Sequence, residues 1–222
     1  MTESNRTEMF RFELRWPLVI QVLILIFVLA SLPDRTKLLP HWFSFSVAAL
    51  LVLSMVSTRV SGGHPRWLRI ESAITMACCA WAEIVNLGTL VYVIRELLSR
   101  PEQFTGRHLL TSSVSLWVTN VIAFSIIYWS IDRGGPEARI NRQERRADWL
   151  FPHESAPPKD VAPDWRPMPV DYLFLSFCTA TAFSATDVLP LTGRAKILMM
   201  IESLVSLVTL VIVAARAINI LV

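Results

Sequence analysis

The stretch Phe177-Cys178-Thr179-Ala180-Thr181-Ala182-Phe183-Ser184-Ala185-Thr186-Asp187, FCTATAFSATD, lies between a proline-rich polar segment and the last apolar run of the chain. Two readings of it are open. As an ordinary spanning helix over 171–186, its small residues Ala180, Ala182, Ser184 and Ala185 serve close helix packing, and TDVLPLTG is a tight turn. As a re-entrant loop, 172–183 dips into the membrane and meets Ser184, Thr186, Asp187 and Pro190 in a compact polar turn. Non-helical chain at membrane depth survives only inside protein or beside a water-filled cavity, because hydrocarbon offers backbone amides no partner. A short apolar segment, a compact polar turn and a following long apolar run have the layout of a re-entrant loop.

The rest of the chain gives the setting. Of its 222 residues 53% are hydrophobic and 18% charged, against about 25% charged in soluble domains, and the mean hydropathy is +0.47. These values describe a membrane protein. A net charge of +3 fits loops that carry arginine against anionic headgroups, so the lipid bilayer is the expected partner and nucleic acid is not. Cys78, Cys79 and Cys178 have neither disulfide nor zinc-ligand spacing and read as small buried hydrophobes. His41, His64, His108 and His153 form no ligand pair on one helix face, and HExxH, Walker and GxSxG motifs are missing. No catalytic residue, metal or cofactor is therefore expected.

Residues 1–16 balance Arg6, Arg11 and Arg15 with Glu3, Glu8 and Glu13, so the basic flank of a cleaved signal peptide is missing. They read as an interfacial or disordered leader. A four-helix transmembrane region is expected over 17–131, from the apolar runs 17–32, 41–57, 70–98 and 108–131. The segment 132–170 is a polar surface loop rich in proline and arginine. Within it 139–150 (RINRQERRADWL) is expected as a short helix, with Trp149, Phe151 and Trp165 at the headgroup level. A final apolar helix over 192–222 completes an all-α integral membrane bundle.

The carboxyl-terminal residues 171–222 resemble a potassium-channel pore module. Thr179 and Thr181 match the threonines ending a pore helix (171–183), and Asp187 matches the aspartate after the filter. Pro190, Thr192 and Gly193-Arg194 match the proline and the basic start of the inner helix. The filter position falls on Ala182-Phe183-Ser184-Ala185-Thr186, where both glycines of TVGYG are absent. A ladder of axial carbonyls needs residues that tolerate unusual φ, which glycine supplies and β-branched threonine does not. The resemblance thus implies a pore scaffold with a degenerate filter over 182–186. The stretches DRGGP (132–136) and ARAINIL (215–221) also resemble an uncharacterised bacterial membrane-protein family with a channel-like carboxyl terminus, which implies a bacterial cytoplasmic membrane and transfers no activity.

On the last helix Glu202, Ser206 and Thr209 share a face at i, i+4 and i+7. Near the bilayer midplane a carboxylate must face protein or a wet cavity. Both remain open: a cavity lining that attracts monovalent cations, or pairing with Asn86 or Asn120. The expected function is an ion-channel-like pore, weakly selective for cations and homo-oligomeric, tetrameric if channel-like. The competing expectations are a non-conducting scaffold or accessory subunit, and a small-solute transporter. Basic residues place the leader, the 58–69 loop and the 132–169 loop on one side, opposite to the entry side of a potassium-channel loop, so orientation stays open.

Overall fold

The computed structural model describes residues 16–31, 49–51, 53, 65–99, 106–140, 145–157, 159–162, 165–181 and 188–221. Three of its helices are long and apolar enough to cross a membrane, over Arg69–Ser99, Leu109–Gly134 and Gly193–Ile212, so the chain is a membrane protein. They belong to α2 (Pro65–Ser99), α3 (Gly106–Ile131, continued by a 3-10 turn over Asp132–Gly134) and α7 (Gly193–Leu221). Helix α1 (Trp16–Ser31) is more apolar and shorter; Pro17 fits its first turn, where an amide proton has no helical partner. The expected span 41–57 falls largely outside the described residues.

Helix α3 is the centre, packed against α1, α2, α7 and the shorter α6 (Pro169–Thr181). Its register with α2 is antiparallel. Cys79 clusters with the residues 122–129, the Asn86 amide donates to the Leu116 carbonyl at 3.2 Å, and Val93 packs on Leu109. Helix α7 also runs against α3, with Ala195 in the cluster near Trp129 and Ile212 in the cluster around Leu116. In α1, Gln21 accepts from Ser125 at 3.2 Å, so α1 also begins near the carboxyl end of α3.

The chain leaves α3 by a sharp reversal. Arg133, Gly134 and Gly135 adopt φ of 54°, 77° and 82°, and a Cβ on Gly135 would lie 2.6 Å from the Ser130 carbonyl oxygen. Glycine alone fits there. The helix expected over 139–150 is replaced by α4 (Gly135–Ile140) and a strand, β1 (Trp149–Leu150), followed by the single turn α5 (Pro152–Ser155). β1 pairs antiparallel with β2 (Leu189–Pro190), Trp149 opposite Pro190 and Leu150 opposite Leu189. The physical reason is burial: extended backbone turns successive side chains to opposite faces, which seats the Trp149 indole in the bundle.

Trp149 and Phe151 are consequently core residues, not the headgroup-level aromatics expected. The Trp149 ring lies 4.7 Å from that of Tyr128, and Phe151 meets Tyr172 edge-on at 5.2 Å. Trp165 stacks on His153 at 4.3 Å. Helices occupy most of the stretches 171–183 and 192–222: α6 begins two residues earlier than expected, at Pro169, and α7 begins at Gly193.

Candidate functional site

The site is built where α3 ends and α6 and α7 begin. Asp132, fully buried at the end of α3, accepts from the Tyr172 hydroxyl at 2.6 Å and from the Asp148 backbone N–H at 2.7 Å. Tyr172 stands in the first turn of α6. The Pro169 carbonyl beside it accepts from the Gln21 amide at 3.2 Å, so α1 also holds this start.

Asp148, likewise fully buried, carries the tie across to α7. Its carboxylate accepts from Arg194 through Nε at 2.6 Å and Nη2 at 2.5 Å, and from the Thr192 hydroxyl at 2.6 Å, while its carbonyl accepts the Leu191 N–H at 2.8 Å. Thr192 in turn accepts the Ala195 N–H at 3.3 Å, the side-chain capping that a helix start favours. A two-pronged guanidinium-carboxylate contact is among the stronger polar contacts because both groups are charged and planar. Arg139 donates to the carbonyls of Asp132 and Trp129, both at 2.8 Å, and lies over the Trp129 ring at 4.9 Å. Burial lowers its pKa from the ordinary arginine value, against the opposing pull of Tyr172 and Asp132.

A second polar layer lies deeper. Ser176 donates to the Val121 carbonyl at 2.7 Å and also contacts Glu202 Oε1, whose other oxygen accepts from Tyr128 at 2.5 Å. The Asn120 amide donates to the Glu202 carbonyl at 3.2 Å and to Ser206 Oγ at 2.8 Å. Ser203 donates to the Thr179 carbonyl at 3.2 Å. Since Ser203 is ten residues past Gly193, Thr179 sits about 15 Å into the bundle.

The expected site residues divide into three groups. Thr179 and Thr181 end α6, and their hydroxyls donate to their own helix, at the carbonyls of Leu175 and Phe177. Ala182, Phe183, Ser184, Ala185, Thr186 and Asp187 lie outside the described residues. Glu202, Ser206 and Thr209, expected along a cavity, are buried between helices of one chain, Thr209 donating to the Val205 carbonyl of its own helix at 2.8 Å. Of the two partners considered for Glu202, Asn120 meets its backbone, and Asn86 bonds elsewhere. Asp132, Asp148, Tyr128, Tyr172 and Ser176 were not picked out by sequence. Among the described residues no group of three or more His, Cys, Asp or Glu could hold a metal ion.

Compared with family models, curated proteins and solved structures, the chain matches none.

Proposed function

We propose that the protein is an ion-channel-like membrane pore whose protomer carries a re-entrant half-helix, α6, with its polar bend over 182–187 at the constriction. One observation carries the reading: the beginnings of both α6 and α7 are tied to the Asp132 end of α3, although α6 runs inward only to the level of Ser203. This arrangement supports a return of the chain after α6 to the end from which it entered. A helix of 13 residues is about 20 Å long, against about 30 Å of hydrocarbon. The eight steps from Thr181 to Leu189 reach at most roughly 26–29 Å, enough for that return. Helix α6 also directs its carboxyl end, with a partial negative charge of about half an electron, to mid-depth, where it favours a cation.

The same directions support four crossings before the loop. Both α1 and α2 begin at the Asp132 end, which supports the reading of 41–57 as a further span. That end holds Arg69, Arg133, Arg139, Arg145, Arg146 and Arg194. The positive-inside rule makes it cytoplasmic, and the half-helix then enters inversely to that of a potassium channel. Several copies, four on the pore-module resemblance, close the pathway around an axis. A bacterial cytoplasmic membrane is the expected site.

Purified protein in a planar bilayer is expected to pass a weakly selective cation current whose reversal potential in a salt gradient shifts with Asp187→Asn. Folded, oligomeric protein that remains silent across monovalent salts would contradict conduction. A non-conducting scaffold is the second reading, favoured because Glu202, Ser206 and Thr209 are enclosed within a single chain.

A further inference from the structure

The hydrogen-bond count around Glu202 fixes more than a position. Three oxygen-oxygen contacts meet there: Ser176 Oγ to the Val121 carbonyl, Ser176 Oγ to Glu202 Oε1, and Tyr128 Oη to Glu202 Oε2. Each contact needs one proton, because two oxygens with none between them repel. A serine hydroxyl and a phenol hold one proton each, and a carbonyl holds none. Two protons cannot serve three contacts.

We infer that Glu202 is held as the neutral carboxylic acid, its proton on Oε1, and that as an acid it acts as the positioning residue that fixes the half-helix α6 to α3 and α7. The Glu202 hydroxyl then donates to Ser176 Oγ, Ser176 donates to the Val121 carbonyl, and Tyr128 donates to Oε2, so every proton and every acceptor is used. The surroundings agree. The side chain is fully buried, and no Lys or Arg among the described residues pairs with it. The titratable groups facing it are Tyr128 from α3 and Glu83 from α2, while α6 presents Ser176. An ionised Glu202 would take the Ser176 proton and leave the Val121 carbonyl facing an oxygen without one, which loosens α6 from α3.

Infrared difference spectroscopy tests this on the full chain in lipid at neutral pH. In a Glu83→Gln background, a protonated-carboxyl C=O band is expected that disappears in Glu83→Gln/Glu202→Gln. Glu202→Gln is expected to lower the unfolding midpoint less than Glu202→Ala does, since its amide donates to Ser176 and accepts from Tyr128 as the acid does and leaves one N–H without a partner. Tyr128→Phe retains Glu202 and removes the donor to Oε2, so the band is expected to move to higher wavenumber. No band dependent on residue 202 overturns the inference. If the double variant fails to fold, a spectrum unmoved by Tyr128→Phe does so instead. None of these readouts depends on conduction.

Discussion

Replacing Trp149 by alanine is expected to cost about 3–5 kcal/mol of folding stability, the range for a large aromatic removed from a packed core. Its side chain is fully buried, tilted against the Tyr128 ring, and its indole nitrogen lies 3.4 Å from the Met199 sulfur. Truncation leaves an indole-sized void between α3, α7 and the β1–β2 pair, and the short strand pairing is too small to keep the loop docked by itself. Equilibrium unfolding in mixed micelles measures the loss, and limited proteolysis within 141–169 should accelerate in parallel. A loss under about 1 kcal/mol, within the range of ordinary surface substitutions, would mean that the loop does not depend on this seat.

Asp132→Ala is expected to cost a similar 3–5 kcal/mol, roughly the range for one partner removed from a buried charged network. The Tyr172 hydroxyl and the Asp148 amide both lose their acceptor in a buried site, each at about 1–3 kcal/mol. Arg133, 3.5 Å from the same carboxylate, loses a counter-charge but retains Glu154. Asp132→Asn retains acceptor capacity and is expected to recover about half of the loss. Asp132 bonds the residue preceding Trp149, so the double alanine variant should lose less than the sum of the two single losses. Equal sums would mean that the two anchors act independently.

The long apolar helices were legible in sequence because spanning length and hydrophobic content are local properties of the chain. The runs 70–98 and 108–131 and the final helix reappear as α2, α3 and α7 with boundaries shifted by a few residues. The route of 132–169 was not legible. Prolines say where a helix stops, whereas Asp148 choosing Arg194, or Tyr172 choosing Asp132, depends on which ends of distant helices are brought together. The polar stripe of Glu202, Ser206 and Thr209 was visible as a face, but a stripe does not say whether it looks onto water or onto protein. Tyr128 and Ser176, which meet Glu202, are separated from it by 74 and 26 residues, and no short motif joins them. The candidate filter, 182–186, rests on its spacing to Thr179, Thr181, Asp187 and Pro190 in the sequence.

Sidedness of single cysteines at Ser155 and Gly193, both exposed, is the most direct measurement of the half-helix. In a background with Cys78, Cys79 and Cys178 replaced, a membrane-impermeant thiol reagent applied to sealed vesicles of known orientation should label both sites from the same face, the cytoplasmic one. Labelling of residue 155 from one face and residue 193 from the other would mean that the chain from 169 to 193 crosses the membrane once, and the re-entrant pore would be contradicted.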